Sequence, residues 1–188
     1  PRCQELGWRA LSLIFQSSAA KRASAQVVQK TVDALISTTA SFPKNANVHQ
    51  ETSSIVGALL EDDRAQKILT ESTIRLILAH VRSGMTNNAS SVQLILNGLG
   101  AIGKLAKFAL DIEQGPFLVD GEKSIVMQLM DDYTENPDVQ LAACEALAEI
   151  ALAVKDSEEH EGLSERINAY HDQDGELNDW MMQLFAPN

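Results

Sequence analysis

Asn136-Pro137-Asp138-Val139-Gln140-Leu141-Ala142-Ala143-Cys144-Glu145-Ala146-Leu147-Ala148-Glu149-Ile150 is the stretch whose reading decides the fold. Asn136 is a capping residue type, and Pro137 takes the first helical position, where a missing N–H costs nothing. From Val139 to Val154 the residues are strong helix formers with apolar positions three and four apart, the spacing of one helical face. The centre of this helix recurs upstream. Ala146-Leu147 with Ile150 falls in one register with Ala101-Ile102 and Leu105, with Ile55-Val56 and Leu59, and with Ala10-Leu11 and Ile14. The steps are 45, 46 and 45 residues. A period of that size belongs to helical arrays whose units cannot bury their apolar faces alone and must stack on one another.

Helical periodicity fills most of the rest. Cys3 to Gln16 carries a stripe at Leu6, Ala10, Leu13 and Ile14, and Ala25 to Thr39 one at Val28, Val32, Leu35 and Ile36. Pro43, Asn45 and Asn47 break the chain, and Asn47 is placed to cap a helix over Val48 to Leu60. A short helix over Arg64 to Leu69 and a longer one over Thr73 to Arg82 are expected, then a turn at Gly84 to Asn88. Ser90 and Gln93 have capping-box spacing before Leu94 to Ala109. Gln114-Gly115-Pro116 and Asp120-Gly121 bound a looser connection before Lys123 to Asp132, and two further helices are expected between Ser157 and Phe185. No alternating stretch predicts a strand, so the expected class is all-α.

Composition fits one array over 1–188, with units at roughly 1–17, 18–62, 63–108 and 109–155 and a partial unit or cap over 156–188. The 188 residues are 45% hydrophobic, and no apolar run approaches the length of a membrane span. The chain opens on Pro1-Arg2-Cys3 without a signal-peptide pattern, and its first unit begins directly on a last helix. An intracellular piece of a longer protein is expected, cytoplasmic or nuclear. Cys3 and Cys144 sit at inward-reading positions without partner spacing, which predicts buried, reduced thiols. Charge divides sharply: residues 1–110 hold 12 Lys+Arg against 7 Asp+Glu, and 111–188 hold 3 against 19. Nucleic acid and anionic membranes are therefore poor partners for the acidic half, whereas a basic peptide or protein face suits it.

Gly121, Ile125, Val126, Leu129, Met130, Asn136, Val139, Gln140, Ala143, Ala146, Leu147, Ile150 and Ala151 together resemble one copy of the second and third helices of an armadillo repeat. Small Ala143, Ala146 and Ala151 let helices approach closely, while Val139, Leu147 and Ile150 fill the space between units. The resemblance is strong over 120–155, fair over 44–108 and weak elsewhere, and HEAT repeats share the period. It implies a right-handed α-solenoid of about four armadillo-like repeats, with a concave groove lined by third helices in which extended peptides bind. The family's best-known peptide binders carry an asparagine one residue before the position of Ile150, where this chain has Leu13, Ala58, Lys104 and Glu149. Its frequent tryptophan position holds Arg9, Ser54, Gly100 and Glu145. The regular asparagine ladder is missing, which argues against recognition of nuclear-signal peptides.

The expected function is a non-enzymatic scaffold that binds another protein or peptide through Arg9, Glu51, Ser54, Asn97, Lys104, Glu145 and Glu149, without cofactor or metal. A second reading is a module that stacks or self-associates through open ends, where Leu6, Trp8 and Trp180 lie. A third rests on Gly98-Leu99-Gly100-Ala101-Ile102-Gly103, the G-x-G-x-x-G spacing of a dinucleotide loop. Gly98, Gly100 and Gly103 align with residues of uninterrupted helix in the next unit, so close helix packing is the simpler account. Asp172-Gln173-Asp174-Gly175 resembles part of a calcium loop but lacks the first and last carboxylates such a loop needs.

Overall fold

Seven helices make up the computed structural model, which describes residues 2–16, 25–61, 69–111 and 119–153. They are α1 (Arg2–Gln16), α2 (Ala25–Ser41), α3 (Ala46–Leu60), α4 (Glu71–Asn87), α5 (Val92–Asp111), α6 (Val119–Asp132) and α7 (Pro137–Ala153). Among the described residues there is no strand, and no helix is long and apolar enough to cross a membrane.

The odd-numbered helices pack side by side, α1 on α3, α3 on α5 and α5 on α7. Each of α2, α4 and α6 packs on the odd helix that follows it, and α2 also meets α4. One turn geometry recurs where even helix gives way to odd. The N–H of Asn45 donates to the Phe42 carbonyl at 3.1 Å, that of Ser91 to Asn88 at 2.9 Å, and that of Asn136 to Tyr133 at 2.9 Å. The next helix then opens with His49, Ile95 and Gln140 donating to Asn45, Ser91 and Asn136. The three turns stand 46 and 45 residues apart, the period already visible in the sequence.

Hydrogen bonds between neighbouring units keep the same spacing. Asn45 Nδ2 donates to Glu5 Oε1 at 3.1 Å, Asn88 Nδ2 to the Pro43 carbonyl at 3.4 Å, Asn97 Nδ2 to the Gln50 carbonyl at 3.3 Å, and the Tyr133 hydroxyl to the Ala89 carbonyl. Their partners lie 40 to 47 residues apart, so successive odd helices run in one direction. The core runs continuously through Trp8, Leu35, Ile55, Leu59, Ile77, Leu99, Ile102, Leu105, Leu147 and Ile150, all buried. A fully buried leucine such as Leu147 is worth roughly 3 kcal/mol against alanine at this kind of site.

Several local expectations shift. Asn45, not Asn47, caps α3, its Oδ1 accepting from Val48 N at 3.2 Å. Asn136 caps α7 in the same way, accepting from Val139 N at 3.2 Å, as expected. The expected turn at Gly84 is helix: α4 continues to Asn87, and the glycine there is accounted for by the His49 ring above it, since a Cβ would come within 2.9 Å of His49 Cγ. α5 begins at Val92, so Ser90 belongs to the turn and Ser91 precedes the helix. Asp120-Gly121, expected in a connection, lies inside α6. Cys144 is buried, but Cys3 is exposed because nothing in the described structure packs on that side of α1. The expected helix over 64–69 falls outside the described residues except for Leu69, which is buried and non-helical, and everything expected beyond 153, Trp180 and the calcium-like turn included, lies outside them.

Candidate functional site

Between α5 and α7 the side-by-side packing opens into a groove of about 370 Å³. Its floor is made of residues with little or no side chain, Gly100 and Gly103 from α5 and Ala142 and Ala146 from α7. Gly103 sits so close to α7 that a Cβ there would lie 3.4 Å from Ala146 Cα. The walls are charged, with Lys104 and Lys107 on α5 and Glu145 and Glu149 on α7. Lysines three apart on one helix and glutamates four apart on the next each form a row on one face.

Of the seven residues expected to bind a partner, the groove gathers Lys104, Glu145 and Glu149. Arg9 is exposed on α1, and Glu51 and Ser54 are half-buried on α3, none of them lining this groove. Asn97 has a structural engagement: its amide donates to the Gln50 carbonyl, and its Oδ1 accepts from Gln93 Nε2 at 3.0 Å. Lys104 lines the groove with its stem but turns its ammonium back over Gly57 to Glu61 Oε1, 2.6 Å away at the end of α3. Both partners of that ion pair are largely exposed, so its worth in stability is small.

Lys107 and Glu61 were not singled out in the sequence, although both are legible in the repeat. Gly57 and Gly103 occupy one register position, Glu61 and Lys107 another, and Lys104 and Glu149 a third. The α3–α5 seam thus carries Glu61 with Lys104, and the α5–α7 seam carries Lys107 with Glu149, the same two positions with their signs exchanged. Glu145 has Ser54 and Gly100 as counterparts and is the charge that the groove adds.

Two other features bear on chemistry. Gly98, Gly100 and Gly103 lie in the interior of α5 rather than at a strand-to-helix turn. Gly98 makes room for Met85, whose Cγ would be 2.7 Å from a Cβ at that position. His49 and His80 border a small internal void together with Thr39, Thr52 and Ser53. His49 Nε2 is buried without a hydrogen-bond partner. Burial holds the imidazole below its ordinary value, the carbonyls of Phe42 and Pro43 pull the other way, and His80 adds to the lowering. His80 is lowered by burial alone. Burial, assisted by Glu145, pushes the Cys144 thiol up to about 12, so it stays protonated and inert. Among the described residues no three His, Cys, Asp or Glu side chains converge as a metal set would. No family model matches the chain, and neither a curated protein nor a solved structure proves similar to it.

Proposed function

We propose that this chain is a non-enzymatic interaction scaffold, a right-handed solenoid of about four armadillo-like repeats that holds a basic peptide or protein segment on the face formed by α5 and α7. The observation that carries the reading is the groove itself: an open channel, floored by glycine and alanine and walled by charge. Small floor residues let a partner backbone approach closely, and the acid row on α7 fixes which side chains it brings. The turning of Lys104 toward Glu61 draws one positive charge away from the channel, whose α7 wall carries Glu145 and Glu149. Without an asparagine ladder, selection rests on charge, and binding weakens with salt over a Debye length of about 8 Å at physiological ionic strength.

Fluorescence anisotropy of labelled ten-residue peptides carrying zero, two or four Lys or Arg tests this. Affinity is expected to rise with basic content and to drop at least about tenfold in a Glu145→Lys, Glu149→Lys variant with unchanged circular dichroism, a change of about 1.4 kcal/mol. Equal binding of all peptides, or equal binding by both proteins, would sink the groove as the site.

A further inference from the structure

We propose that the segment held between α5 and α7 is an extended chain carrying a basic and an acidic side chain two residues apart, the base on Glu145 and the acid on Lys107. The inference rests on the reading of the groove as a peptide site. Two charged side chains of the groove, Glu145 and Lys107, have neither an ion pair nor a hydrogen bond among the described residues, and both are exposed. Lys104, the other lysine of the wall, is committed to Glu61. One charge of each sign is therefore left for a ligand, and a segment that is basic throughout would set one of its cations against Lys107.

The exposure of these two positions belongs to the register. The Glu145 position is Ser54 on α3 and Gly100 on α5, and the Lys107 position is Glu61 at the end of α3. Gly100 and Glu61 are exposed and Ser54 is half-buried, although α3 packs between α1 and α5, and α5 between α3 and α7. The same positions thus stay at the surface in helices that have neighbours on both sides.

Geometry sets the spacing of the ligand. Gly103 and Ala146 stand level, since a Cβ on the first would lie 3.4 Å from the Cα of the second. α5 and α7 run in one direction, so Glu145 lies one residue below that contact and Lys107 four above it. At 1.5 Å per residue the two are offset by about 7.5 Å along the helices. Two residues of extended chain cover about 7 Å, and side chains two apart face the same side. The residue between them faces solvent. Lining residues run from Leu99 to Lys107 and from Ala142 to Glu149, roughly 10 to 12 Å of helix, the length of three extended residues. A helix about 10 Å across would fill roughly 800 Å³ over that length, twice the volume of the groove, so the segment enters extended.

Fluorescence anisotropy with the whole chain tests this on three labelled ten-residue peptides with capped ends, each with two lysines four residues apart in an uncharged background. One carries Glu two residues after the second lysine, one carries Glu immediately after it, and one has Gln where the first has Glu. The first is expected to bind about threefold to fivefold tighter than the other two, the worth of one exposed ion pair. Lys107→Glu should erase that preference with unchanged circular dichroism. Equal binding of the three peptides overturns the two-residue pairing while leaving the basic-segment reading in place, and so does a preference that persists in Lys107→Glu. Binding of none of them, nor of a four-lysine peptide, removes the groove as a peptide site and this inference with it.

Discussion

The α3–α5 seam and the α5–α7 seam use the same register positions and come out differently. In the first, Asn97 reaches the Gln50 carbonyl and Lys104 lies over Gly57 to meet Glu61, so polar side chains stitch the helices together. In the second, the counterpart of Asn97 is Ala142, Gly103 meets the Ala146 backbone, and the space that a longer side chain would fill remains open as the groove. One repeated scaffold therefore yields a tied joint or an open groove, depending on whether long polar side chains such as Asn97 and Lys104 cross the seam.

The largest effect expected from breaking this contrast is at the two equivalent glycines. Gly103→Val should destabilise by about 3 kcal/mol in urea titration, since its Cβ would already touch the Ala146 backbone at 3.4 Å and its γ-methyls would have to push into that backbone, which cannot step aside. Gly57→Val should cost less than about 1 kcal/mol, because the neighbour is the flexible end of Lys104, which can move aside. Equal losses at both sites would mean that the seams are equally tight.

Next comes acid sensitivity around His49, at the start of α3. Its folded-state value is depressed, so the unfolded chain binds the proton more readily. The stability this contributes is complete above the unfolded value of about 6.5 and is lost as pH falls from there toward the lowered folded value. The melting temperature should fall between pH 7 and pH 5. Gln140 stands at the equivalent position of α7 and donates its amide to the Met130 and Tyr133 carbonyls at 2.7 and 2.9 Å. A His49→Gln chain should accordingly lose part of that acid sensitivity, and an unchanged pH profile would remove His49 as its source.

Asn97→Ala should cost about 1 kcal/mol by chemical denaturation, the worth of one part-buried hydrogen bond, and should open the α3–α5 seam toward the form of its neighbour. Lys104→Ala should cost least, below about 0.5 kcal/mol and less still in high salt, because its ion pair is exposed. A larger loss at Lys104 than at Asn97 would reverse the account of what holds that seam closed.

Much of this was legible before any coordinates. The period of about 45 residues sets Gly103 in register with Gly57 and Lys107 with Glu61, whereas the approach of Gly103 to Ala146 is a contact between helices that the register does not give. Boundaries were less legible. Asn45 and Asn47 are equally good caps by type, and only the hydrogen bond from Val48 separates them. Gly84 reads as a helix breaker until the His49 ring is found against it. The expected site residues dispersed for a related reason: side chains at one register position share a face, but whether that face stays open depends on the length of what lies across the seam.

By itself the sequence determined the all-helical class and the period at which the turns and helices recur, because these follow from residue spacing along a single chain, whereas the stripe at Leu6, Ala10 and Leu13 that reads as a buried face is exposed. Tertiary structure alone decided that Cys3 and Ala10 are bare while Val139 and Ala146 are covered, that Lys104 turns to Glu61, and that the channel opens between α5 and α7. Each of these depends on the neighbour that a residue meets across 40 or more positions, a distance over which local propensity carries no information.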